Sequence, residues 1–199
     1  QWSAAVAGRG GLGLVLGGVG VGKRVLIDHL VQRAQASGGQ VLRTVCRESE
    51  RSLFLQPLVD VLRPILLARP PSEVRELLRE GAGPLADLIP DITAILGPVD
   101  YDHYLPETHH RRVMESIAGV LVALARQAPV VLIVEALHSA SDGTLAALEF
   151  LAGRAAHHRL LIIGSAQVAD RERIQSILGA STASAARVVE PREFDLAGV

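Results

Sequence analysis

The chain has 199 residues, enough for one domain with a sizeable core, and 49% hydrophobic content with only 3% aromatic residues makes that core aliphatic. A formal net charge of −1 excludes a general basic field for gripping nucleic acid or an anionic membrane surface. No uncharged apolar stretch approaches the roughly 18 residues of a membrane span, so no membrane partner is expected.

The start, QWSAAVAGRGG, lacks the basic and apolar regions of a signal peptide, and with no initiating Met the sequence reads as part of a longer protein. The single cysteine, Cys46, cannot close an internal disulfide, which fits a cytoplasmic setting. Residues 8–13, GRGGLG, match the dinucleotide string G-x-G-x-x-G but precede a strand instead of following one, so they read as a loop between helix and strand. The apolar run at 12–16 predicts a buried strand. From Lys23 to about Ser37, Ile27, Leu30, Val31 and Ala34 fall on one helical face, and Gly38 and Gly39 end it. A second strand is expected at 40–46.

Residues 53–97 predict helical pieces broken by Pro57, Pro64, Pro70, Pro71, Pro84 and Pro90, an insertion packed at the sheet's edge. A linker is expected at 97–107. Val113, Ile117, Val120, Leu121 and Leu124 then mark a long amphipathic helix over 107–127. VVLIVE at 130–135 predicts a central parallel strand, Ser141 caps a helix to about His157, and LLIIGSAQ at 160–167 predicts another buried strand. A weaker helix at 171–178 and a last strand at 187–190 complete an alternation that implies a parallel sheet with right-handed crossovers. The expected class is α/β, forming a single domain over 1–199.

The chain holds 19 arginines and one lysine, and that lysine closes the string Gly17, Gly18, Val19, Gly20, Val21, Gly22, Lys23. This is G-x-x-x-x-G-K between a strand and a helix, the setting a P-loop requires. Glycines let main-chain N–H groups turn inward around phosphates, the helix start adds positive potential, and the lysine supplies a point charge. ATP or ADP is the expected ligand, with the amides from Gly18 to Lys23 on the β-phosphate. Arg24 breaks the pattern, because the Ser or Thr usual there coordinates Mg²⁺ and a guanidinium cannot.

The strand 130–135 ends in Glu135, followed by Ala136 where a second acid is usual. Glu135 is the candidate catalytic acid or magnesium ligand, the latter through water; one carboxylate does not easily do both. Other signals read as structural. His109 and His110 point in different directions from a helix and sit on a solvated face. His157 and His158 lie at a helix C-terminus, His138 reads as packing behind the strand with an approach to the nucleotide site as the alternative, and Cys46 is a small core residue.

The segments GRGGLGLVLGGVGVGKRVLIDHL, VLRTVCRESERSLFLQPLVDVLRPIL, VVLIVEALHSASDGTLAALEFLAGR and RLLIIGSAQVADRE together resemble the AAA-type, STAND-class ATPase domain of large bacterial transcriptional regulators of the MalT/LuxR and SARP types. With the P-loop motif, the resemblance implies a three-layer P-loop NTPase of AAA/ASCE-like type, with a five-stranded parallel sheet in which the Ser165 strand lies between the P-loop strand and the Glu135 strand. It places the adenine-contacting segment upstream of residue 1, and a helical lid and a DNA-binding domain outside this chain. In that family the P-loop ends G-K-[ST], the acidic strand reads D-D-L-[HQ]-W-A-D, and a later strand ends near T-x-R. Here Arg24, Glu135 with Ala136, Ser139, and Ser141 followed by Asp142 depart from it. Gln167 stands at the sensor-like arginine position, two residues after Ser165, while Leu137 and His138 match.

The reading is an ATP/ADP-binding regulatory switch of a transcriptional regulator, with weak or absent hydrolysis and Mg²⁺ binding that is weakened. Its partners are nucleotide, the other domains of the same regulator and a homo-oligomer, with DNA reached only through domains outside this chain. Two alternatives stay open: an active ATPase, in which Glu135 works with Asp142 or with an arginine from a neighbouring subunit, and a nucleotide-free interaction scaffold.

Overall fold

In the computed structural model, described over residues 1–98, 106–185 and 187–189, five parallel strands form one sheet. The helix α1 (Trp2–Val6) leads into β1 (Gly11–Leu16), α2 (Lys23–Ala36) and β2 (Gln40–Val45). Then come α3 (Gln56–Leu67), α4 (Pro71–Leu78), α5 (Ala82–Ala86), α6 (Asp91–Leu96) and α7 (Pro106–Gln127). The chain continues through β3 (Val130–Glu135), α8 (Asp142–Ala155), β4 (Leu160–Ala166), α9 (Arg171–Ala185) and β5 (Arg187–Val189). The strand order β2-β3-β4-β1-β5 places the Ser165 strand, β4, between the P-loop strand and the Glu135 strand, as the resemblance implies.

Side-chain alternation along the strands sorts the core into two layers. Leu12, Leu14 and Leu16, with Leu132, Val134 and Ile162, join the layer built by α3 to α9. Val15, Val131, Ile133, Leu161 and Ile163 face α1 and α2. Because both faces are covered, β1, β3 and β4 can be apolar almost throughout, which is why their runs read as buried strands.

Several boundaries differ from the sequence reading. Pro64 does not break α3 but sits inside it. Burial of Leu58, Leu62 and Leu66 outweighs the one N–H that proline removes. The insertion stands at the sheet's edge only through α3, which packs on β2; α4 and α5 lie on α7 and thicken that layer. Arg63 ties α3 to α6 by donating to Asp91 at 2.8 and 3.0 Å. In the glycine-rich start, Gly8 and Gly10 are loop, whereas Gly11 and Gly13 belong to β1. The helix before them is one short turn, pinned where Trp2 Nε1 donates to Ser37 Oγ at 2.8 Å. The expected linker at 97–107 lies largely outside the described residues. No helix among the described residues is long and apolar enough to cross a membrane.

Candidate functional site

The site forms at the carboxyl ends of β1, β4 and β3, where open parallel sheets place their crevices. Gly17 leaves β1 with its N–H donating to Ala166 O at 3.3 Å, so the loop is anchored to β4 before it turns. A Cβ on Gly17 would lie 2.5 Å from Val21 Cγ2, which explains why the turn needs glycine there. Gly20 and Gly22 adopt φ of 84° and 88°, the left-handed conformation that costs a side-chain-bearing residue about 1–2 kcal/mol.

Two features of this loop bear on anion binding. The N–H groups of Gly18, Gly20 and Gly22 enter no hydrogen bond among the described residues, and α2 starts without a side-chain cap. Lys23 curls back over the turn, its Nζ donating to Gly17 O at 2.7 Å and Gly18 O at 2.6 Å. The ammonium is therefore held by carbonyls, and these amides are left unbonded among the described residues.

A cavity of about 640 Å³ opens beside this loop. Val19, Gly20, Lys23 and Arg24 border it from the loop side, and Glu135, Ala136, His138, Ser165 and Gln167 border it from β3 and β4. The candidate residues thus converge, with Gly17, Gly18, Val21 and Gly22 shaping the turn itself. Gln167 stands at the cavity wall one residue beyond β4. Of the two placements open to His138, the structure shows the one at the cavity, which it lines, and its Nδ1 is buried with no hydrogen-bond partner among the described residues. The cause is the tight turn after β3: Ala136 takes φ 57° and Leu137 dives under β4 into space that Gly164 leaves open. Asp142 is placed elsewhere, off the cavity, in the first turn of α8 behind the Ser141 cap, and accepts from Arg173 at 2.7 Å.

Residues 28 and 43 were not singled out in the sequence, yet they complete the charge pattern. Parallel register sets Val45 opposite Glu135, and alternation turns Arg43 to the same α2 side as Glu135. Arg43 Nε donates to Glu135 Oε1 at 2.6 Å, and its Nη1 donates to Asp28 Oδ1 on α2 at 2.7 Å. The Glu135 hydrogen bond is the main reason the Arg43 guanidinium is held even further above neutrality than usual; burial opposes it, and Asp28 adds to it. Arg24 extends the chain weakly, 4.0 Å from Asp28 with its side chain 82% exposed. A single charged residue in β2, whose other residues are uncharged, was the only available signal. A second cavity of about 520 Å³, between α4 and α7, includes none of these residues.

A parallel α/β sheet with a glycine turn and a lysine opening the helix that follows it defines the P-loop NTPase class. A sequence profile of the AAA ATPase domain matches residues 1–163, and the chain belongs to that family. The match covers the loop and Glu135 and stops just short of Ser165 and Gln167. A solved structure of Drosophila ORC bound to GC-rich DNA and Cdc6 shares the fold, with a TM-score of 0.50 and 14% identity over 98% of this chain. The chain spans about half of that relative, 55% of its length, and at that identity the likeness speaks to fold alone. No curated protein matches.

Proposed function

We propose that this domain binds ATP or ADP as a regulatory switch and hydrolyses it weakly or not at all. The observation that carries the reading is the loop from Gly17 to Lys23, of which Val19, Gly20 and Lys23 border a cavity roomy enough for a nucleotide. The departures beside it argue against efficient hydrolysis. Position 24 offers a guanidinium where a hydroxyl would hold Mg²⁺, and Glu135, the acid at the cavity, is engaged by Arg43. No second acid follows it, and Asp142, the rescue candidate, is spent on Arg173. Magnesium therefore fits this donor set poorly.

The segment resemblance supports a role inside a cytoplasmic transcriptional regulator, as one domain with its lid and DNA-binding parts outside these residues and with a homo-oligomer as its assembly. The ORC structure was solved with DNA; here a near-neutral chain supports DNA contact only through those further domains.

The deciding measurement is the melting temperature with millimolar ATP or ADP. A clear upward shift is expected, and no shift with either nucleotide favours the nucleotide-free scaffold instead. Restoring the family residues, Arg24→Ser with Glu135→Asp and Ala136→Asp, should raise magnesium-dependent phosphate release above wild type. Flat activity in that revertant would mean that other changes suppress hydrolysis.

A further inference from the structure

The cavity wall carries a charge pattern unlike that of a metal-assisted phosphate site. There, a divalent ion bridges phosphate oxygens to a protein hydroxyl and carboxylate while cancelling charge. Here the carboxylate already has a cation. Arg43 holds Glu135 at 2.6 Å and is itself tied to Asp28 at 2.7 Å. Lys23, Arg24 and Arg43 make three positive groups against two acids, Asp28 and Glu135, an excess of one positive charge before any ligand enters.

We propose that Arg24 and Arg43 take the place of the divalent ion, so that the cavity binds a nucleoside di- or triphosphate without magnesium. This rests on the nucleotide reading above. A guanidinium has five N–H donors, of which Arg43 uses two in its bonds to Glu135 and Asp28, and the remainder suit phosphate oxygens. Arg24 is loosely held at 4.0 Å from Asp28 and borders the cavity, so turning to a phosphate costs it little. A magnesium ion competing for Glu135 must displace a charge-assisted hydrogen bond and then stand beside the guanidinium it displaced. Both effects remove the gain that magnesium normally brings.

Calorimetric titration of the chain with ADP, in EDTA and in millimolar Mg²⁺, tests this directly. Wild-type affinity is expected to change by less than about threefold between the two conditions. The Arg24→Ser/Arg43→Ala variant, checked for a wild-type circular-dichroism spectrum, should lose about tenfold or more in EDTA and recover with Mg²⁺. Arg24→Ser alone, at an exposed side chain that threatens no packing, should lose about threefold in EDTA. Wild-type binding that appears only with Mg²⁺ overturns the proposal and leaves nucleotide binding standing. A double variant that binds as tightly as wild type in EDTA also overturns it. Binding in neither condition removes the nucleotide reading itself.

Discussion

The two banks of the cavity are built from different materials. On the β1–α2 side much of the chemistry is main chain: unbonded amides at Gly18, Gly20 and Gly22, with Lys23 folded over Gly17 and Gly18 and Arg24 beside them. On the β3 side it is side chain: Glu135 bound to Arg43, Ala136 where an acid is usual, His138 and Gln167. A main-chain cradle survives substitution wherever glycine keeps its left-handed turns, whereas a side-chain site changes its chemistry with each replacement. On the function proposed above, anion binding and metal-assisted catalysis part company along this line.

The largest effect expected lies beneath the side-chain bank. Leu137 is fully buried and fills the space above Gly164, so Leu137→Ala should cost about 2–5 kcal/mol in denaturant unfolding. A loss below about 1 kcal/mol would mean that the turn after β3 is loosely seated and that its positions should not be read as fixed.

Next comes the main-chain bank. If nucleotide stabilises the wild type by about 2.7 kcal/mol at a hundredfold excess over Kd, Lys23→Ala should abolish most of that shift in a melting assay. Its stability without ligand should change little, since Lys23 bonds only to loop carbonyls at the cavity's edge. Retained nucleotide stabilisation would break the comparison, because the cradle would then not be the binding bank.

What could be foreseen divides along the same line. The cradle was legible because glycines, lysine, strand and helix are contiguous in sequence, and the long apolar runs of β1, β3 and β4 announce strands covered on both faces. The pairing of Arg43 with Glu135 joins residues 92 positions apart, and only the parallel register of β2 on β3 brings them together. The turn at Trp2–Val6 is too short for periodicity, and Pro64 shows a local rule yielding to burial. Helix α9 runs past its last clear apolar position, Leu178, through a small-residue stretch with no amphipathic signal.

A smaller effect should appear in alkaline solution. Cys46 follows β2, its N–H donating to Glu135 O at 2.9 Å, and burial, helped by Glu50, pushes its thiol up to about 11 from 9.0. The folded state therefore keeps a proton that the unfolded chain releases, and stability falls as pH rises from 9.0 to about 11. The loss should reach about 2 kcal/mol, and comparison with Cys46→Ala isolates it from other groups titrating there. Equal pH dependence in both proteins would show that the strand end beside Glu135 is wetter than its packing implies.

The smallest effect sharpens the comparison most. Ala136 holds φ 57° and ψ 45°, a left-handed conformation that an alanine adopts at a cost. Glycine relieves that cost while adding entropy to the unfolded chain, so Ala136→Gly should gain about 0.5–1 kcal/mol in thermal unfolding. A β-branched residue suits the conformation worst, and Ala136→Val should lose about 1–2 kcal/mol. Aspartate and asparagine tolerate the left-handed region better than most residues, so Ala136→Asp should be close to neutral. A neutral aspartate with a stabilising glycine would mean that the backbone still holds the second acid's position although its carboxylate has gone. If glycine destabilises instead, the turn owes its shape to the Ala136 methyl, and this bank has been rebuilt in main chain as well as side chain.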